Sequence, residues 1–314
     1  MLVIGRALGF DPVGDARAAE AAGFDGVRVI DHFFSGLAPQ PPHPVSHALA
    51  GLSAAAVATE RVLLTETMLA AGMRHPAECA QAIATIDRIS GGRAELGLGS
   101  GWFRPEHDAM GLALGPPADR AARVVEAATI CRAMLEQRGT VAFEGRFFRA
   151  VSDIEWEPTP HVPAVMVGAA RPRLLQAAAR VANRIDLLEV MDDGRPVLDD
   201  DNVNDEQHLA ARIDLARRSA EDAGNEVVFS ATANIELAES AQALERLRED
   251  LIGISRGTPA TVERELLHSV DTADGMFERF ATLAGLGIDR VHVRPRDELT
   301  QAWLTESLPR LQAL

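Results

Sequence analysis

Along the whole chain, short β-branched or aliphatic runs alternate with longer Ala-, Leu-, Arg- and Glu-rich stretches of helical spacing. That alternation calls for a parallel sheet with helices packed outside it. Strands are predicted at about 3–8, 26–30, 62–69, 93–97, 164–168, 185–190, 227–234 and 290–293. Helices are predicted at 12–22, 46–59, 76–89, 119–138, 171–181, 206–223, 241–251 and 274–286, with a last one at 299–312. Punctuation agrees: Gly23 ends the first helix, Pro76 opens the third where a missing N–H is tolerated, and Ser90-Gly91-Gly92 stops it. Eight strands, each followed by a helix, fit a single closed (β/α)₈ barrel over residues 1–314. The rival, an open doubly wound sheet, rarely uses eight such units.

A chain of 314 residues is long for one ordinary core but within the range of a one-domain α/β barrel. A net charge of −15 repels nucleic acid and anionic membranes, and no basic arm or membrane-length apolar run offsets it. Cys79 and Cys131 lie in apolar, helix-like stretches without a CxxC pair, so they read as buried, reduced thiols of a cytoplasmic protein. The start, MLVIGRALGF, is too short and Gly-broken for a signal peptide and reads as the first strand.

Three connections are too long to be turns: 31–45, 99–118 and 191–205. All follow the C-terminal end of a predicted strand, the end where a barrel carries its site. A further segment, 139–160, follows a helix; its 141–148 stretch reads as a hairpin turning at Glu144-Gly145, placed at the opposite end.

Chemistry-bearing residues cluster at the predicted mouth. Asp31-His32 directly follows the second strand. A carboxylate and an imidazole there bind a ligand or move a proton, or else the Asp caps a turn beside a solvated His. The fourth strand ends in Leu96-Gly-Leu-Gly-Ser-Gly-Trp102, with Glu106 just beyond. Its glycines admit a flat or phosphorylated ligand, or simply make a tight turn. Trp102 offers an aromatic face and Glu106 a general acid. The fifth strand runs through Gly168-Ala169-Ala170 into Arg171 and a helix start, which suits an anion or an ordinary βα turn. No metal site is expected: Pro44 disfavours a helical His43/His47 pair, and the acidic 192–201 loop lacks a calcium-ligand pattern.

Taken together, these segments resemble the luciferase-like family of flavin- and F420-dependent enzymes. The likeness rests on Glu20-Ala-Ala-Gly-Phe-Asp-Gly-Val-Arg-Val-Ile-Asp-His32, Arg74-His75-Pro76, Ala84-Thr-Ile-Asp-Arg-Ile-Ser-Gly-Gly-Arg93 and Leu96–Trp102 with Glu106. Phe143-Glu-Gly-Arg-Phe147, Pro163-Ala-Val-Met-Val-Gly168 and Gly285-Leu-Gly-Ile-Asp-Arg-Val291 extend it. It is specific to about residue 190 and looser beyond. The resemblance implies the same barrel, an oxidoreductase and a deazaflavin ring. Asp31 and His32 would lie beside that ring, Thr67-Met68 would form a non-prolyl cis bulge behind it, and Ser100-Gly101-Trp102 would edge it. Gly168, Ala169, Ala170 and Arg171 would hold the phosphate, and His32 and Glu106 would handle protons.

Coenzyme F420 is the expected cofactor and a small organic molecule the expected substrate, with a homodimer in keeping with the family. FMN, as in monooxygenases served by a separate flavin reductase, is the alternative cofactor, and a non-catalytic flavin-binding barrel the third reading. The chain departs from its relatives at Ala169, often a second glycine; at Glu66, often a small residue; and at Asn183, often Asp.

Overall fold

A computed structural model describes residues 3–35, 43–136, 139–156, 161–192, 195–198, 205–238, 242–246, 256–258, 260–261, 270–295 and 297–314, with positions 240 and 249. Eight parallel strands form the barrel: β1 Val3–Ala7, β2 Gly26–Val29, β3 Leu63–Glu66, β4 Ala94–Gly99, β5 Val165–Ala169, β6 Arg184–Leu187, β7 Val228–Leu237 and β8 Ile288–Pro295. Each pairs with the next, and β8 pairs with β1 through Val3↔Arg290 to Arg6↔Val293, so the eight strands close on themselves.

The helices α1 Pro12–Ala22, α2 Ala48–Ala58, α3 Pro76–Ser90, α4 Pro117–Glu136, α5 Pro172–Ala179, α6 Glu206–Glu221, α7 Ala273–Gly285 and α8 Glu298–Gln312 follow the strands in turn. Of the predicted helix 241–251, positions 242–246 and 249 are helical, and the others lie outside the described residues.

The core lies between strands and helices. Ile4, Val27, Leu64, Leu96, Leu98, Ile185, Val291 and Val293 are buried there. The lumen is different. Parallel barrels usually fill it with branched aliphatic side chains. Here Arg28, Thr65, Glu95, Arg184, Asp186, Ser230, Arg290 and His292 are buried, and several meet across it. Glu95 on β4 binds Arg290 on the non-adjacent β8 and Arg184 on β6, the latter at 3.3 Å. Arg184 also grips Asp289. The side-chain period of two explains this, because Arg290-Val291-His292-Val293 sends valines to the helices and polar side chains inward.

The cis peptide that the family resemblance implied at Thr67-Met68 is present, and three local details depart from the strand, loop and hairpin bounds read from the sequence. The predicted third strand, 62–69, is broken: β3 stops at Glu66, a cis peptide joins Thr67 to Met68, and Leu69–Ala70 resumes pairing with β4. The loop 99–118 contains a short helix, Arg104–Met110, because Pro105 and a Gly111 C-cap bound a helical turn there. The hairpin is Gly139–Glu144 with Arg149–Trp156, and its turn spans 145–148. Its base follows α4 at the far end of the barrel, but its tip returns toward the mouth. Glu126 of α4 accepts the amides of Arg146, Phe147 and Phe148 at 2.8–3.0 Å, and Arg146 pairs with Asp119 at the start of α4.

Glu66 is fully buried at the end of β3. Its Oε2 accepts the Gly97 amide at 3.2 Å, and Oε1 has no partner among the described residues. Burial first, then the nearby Asp31 and Glu95 charges, push its carboxyl up to about 8 from the ordinary 4.5. Between those values the native state keeps a proton that the unfolded chain releases, so stability falls as pH rises through that window. Thermal melts across it should show the wild type losing ground to Glu66→Gln towards pH 8; parallel curves would mean that Glu66 is ionised in the native state.

Candidate active site

The ends of β2, β3 and β4 converge at the mouth. Asp31 is buried just after β2. Its Oδ2 accepts the Ala70 amide at 3.0 Å and Arg74 Nη1 at 2.5 Å, while Oδ1 accepts Arg74 Nη2 at 2.9 Å. The bidentate pair ties β2 to the segment beyond the cis bulge. Asp31 therefore has its oxygens committed to the protein.

The bulge itself sits on glycines. Pairing runs Thr65↔Glu95, then Leu69↔Leu98, so four steps on one strand face three on the other. A Cβ at Gly97 would lie 1.9 Å from the Glu66 carbonyl oxygen. One at Gly168 would lie 2.6 Å from Leu188 and 2.9 Å from the Met68 side chain. Met68 can thus lie close over β4 and β5, which brings the bulge and the β5 turn together.

His32 is half-buried and Glu106 is 1% exposed. His32 Nδ1 lies 2.8 Å from Glu106 Oε1, and Glu106 Oε2 accepts the Phe33 amide at 3.1 Å. A carboxylate accepts, so Nδ1 carries the proton and Nε2 is left as the basic atom. The imidazole packs edge-on against Trp102 at 5.7 Å and Phe103 at 6.0 Å. The structure brings His32 and Glu106 into contact, with Glu106 buried behind the imidazole rather than open to the mouth.

Ser100 and Gly101 form the strand-end loop, and Arg120 of α4 donates to the Gly101 carbonyl at 2.6 Å. At the end of β5, Gly168 and buried Ala169 lead through Ala170 to exposed Arg171, the N-cap of α5. Its side chain makes no capping bond, so the first-turn amides are left to a ligand or water. Arg212 of α6 fixes this turn, with Nη2 donating to Ala169 O and Leu188 O, each at 2.9 Å.

Sequence reasoning missed the parts played by Arg74, Arg120 and Arg212, whose partners lie 19–43 residues away. It also missed the lumen charges, although the polar–apolar alternation in Arg184-Ile185-Asp186-Leu187 was a visible signal. Among the described residues no helix is long and apolar enough to cross a membrane.

An F420-dependent glucose-6-phosphate dehydrogenase of Beutenbergia cavernae is 37% identical over 171 residues, 52% of this chain and 48% of that protein. The protein of the same description from Nakamurella multipartita is 34% identical over 174 residues, 54% of this chain and 49% of its own. The chain thus spans about half the length of these curated relatives. Among solved structures, an F420-dependent secondary alcohol dehydrogenase in complex with an F420-acetone adduct superposes with a TM-score of 0.77 at 20% identity, covering 99% of both chains. The F420-dependent tetrahydromethanopterin reductase of Methanopyrus kandleri gives 0.72 at 19% identity, again over 99% of both. These two show the shared barrel. Residues 13–284 match the family profile described as luciferase-like monooxygenase, and the chain belongs to that family.

Proposed function

We propose that this protein is a coenzyme F420-dependent oxidoreductase acting on a small organic substrate, an alcohol-type donor above all. The observation that carries this reading is the His32–Glu106 pair, a base held by a buried carboxylate beside Trp102 at the barrel mouth. The similarity to F420-dependent glucose-6-phosphate dehydrogenases supports a sugar hydroxyl carbon as donor. When bound, the deazaflavin supplies a carbon that accepts or returns a hydride.

The residues fit such a group. The glycines under Met68 let the bulge make a flat wall, Ser100-Gly101-Trp102 offers an edge, and the uncapped start of α5 beside Arg171 suits its phosphate. His32 Nε2 takes the hydroxyl proton as the carbinol carbon is oxidised, and Glu106 stabilises the resulting imidazolium. Trp102 and Phe103 pack around the imidazole and limit water there.

Calorimetric titration of the purified chain with F420 and with FMN tests the assignment. Micromolar or tighter F420 with weaker FMN is expected. Tight FMN without F420 would move the chain to the monooxygenase branch with its separate reductase. Binding without turnover on any alcohol or sugar phosphate would favour a non-catalytic flavin-binding barrel.

A further inference from the structure

Of the lumen arginines Arg28, Arg184 and Arg290, Arg28 is the one with no ion-pair contact among the described residues. On β2, its Nη1 donates to Thr67 Oγ1 at 2.7 Å, and Nε and Nη2 are buried without partners. The other lumen arginines are engaged: Arg184 with Glu95 and Asp289, Arg290 with Glu95. Asp186, the carboxylate that acts on Arg28, already receives the Ser230 hydroxyl at 2.6 Å. Its attraction is outweighed by repulsion from Arg294. Burial and those charges bring the Arg28 guanidinium down to about 9, which leaves it cationic at neutral pH. His292 adds no negative charge; burial, then Arg28, Arg290 and Arg184, keep it neutral.

We propose that Arg28 sets the redox balance of the bound cofactor, its guanidinium beneath Thr67 favouring the reduced ring over the oxidised one. This rests on the cofactor reading above, with the ring against the Thr67–Met68 bulge. In oxidation of the donor, its C–H bond breaks and a C–H bond forms at the ring carbon. Both electrons travel with the hydride, and the hydroxyl proton goes to His32. The ring side thereby gains one negative charge. A buried, locally uncompensated cation one side chain away favours that state. Arg28 is buried, with Nη1 committed to Thr67, so it acts through its field rather than by contact.

The test is the dissociation constant of oxidised and of reduced F420, by fluorescence and by competition, for wild type, Arg28→Met and Arg28→Lys. Arg28→Met should weaken the reduced form on the order of tenfold, with the oxidised form nearly unchanged. Arg28→Lys, which keeps the charge, should keep the wild-type ratio. An unchanged ratio in Arg28→Met, an equal loss in both forms, or a Lys variant that behaves like Met would overturn the proposal. If Arg28→Met does not fold, Asp186→Asn at pH about 8 replaces it. Removing that opposing carboxylate should shift the ratio several-fold towards the reduced form, and no shift would overturn the idea. Wild-type protein that binds neither form would sink the cofactor reading and this inference with it; binding with an unaltered ratio would sink this inference alone.

Discussion

Glu106→Gln is expected to lower turnover by about 10²–10⁴-fold while leaving F420 affinity close to wild type. The cause is a tautomer. Glu106 accepts hydrogen bonds from His32 Nδ1–H and from the Phe33 amide with its two oxygens. An amide can keep the Phe33 bond only by turning its NH₂ towards His32. Nδ1 must then accept, the ring proton moves to Nε2, and the base facing the substrate is lost. His32→Ala removes the base outright and should cost as much. Because the two act as a unit, the double variant should be little worse than either single one. Steady-state kinetics and cofactor titration on all three variants decide the matter. Wild-type turnover in both single variants would make the pair structural. A parallel loss of affinity would make the two residues ligand contacts and place the base elsewhere.

The second large effect is expected at Asp31. The sequence reading gave this residue a place beside the ring. The structure commits its oxygens to Arg74 and the Ala70 amide, in a pair whose side chains are 6% and 13% exposed. Asp31→Ala would strand the Arg74 guanidinium in a site that burial already disfavours, and breaking such a pair costs about 3–5 kcal/mol. For a chain of this size that is a fall in Tm on the order of 10 °C. Cofactor affinity should fall too, because the pair anchors the strand beyond the cis bulge. Removing Arg74 as well should restore part of the loss, since no charge is then left unpaired. A melting point unchanged in Asp31→Ala would show the pair to be ornamental, and an affinity loss without a stability loss would return Asp31 to the ring.

What the sequence made legible was local. Gly26-Val27-Arg28-Val29-Ile30 followed by Asp31-His32 marks both a strand and the polar end of it, and Pro76 and Gly91 mark the limits of α3. What stayed hidden depended on distance in the chain. Glu106 lies 74 residues from His32, and Arg74 lies 43 from Asp31. No spacing rule links such pairs before the barrel closes. The break at Thr67-Met68 came from family likeness alone; its own residues read as a continuous strand. The hairpin tip was misplaced because its direction is set by Glu126, on a helix whose carboxylate carries no turn signal.

The charged lumen has a consequence for recombination. Glu95 sits in the first half of the barrel, while Arg184 and Arg290 sit in the second. Half-barrels exchanged between relatives at a crossover after β4 would separate a carboxylate from both its cations, each buried. The outward aliphatic positions, by contrast, tolerate substitution one at a time as long as volume is kept. A chimera of this scaffold must therefore move Glu95, Arg184 and Arg290 as one inheritance, even though they are remote in sequence and none of them touches the mouth residues His32 and Trp102.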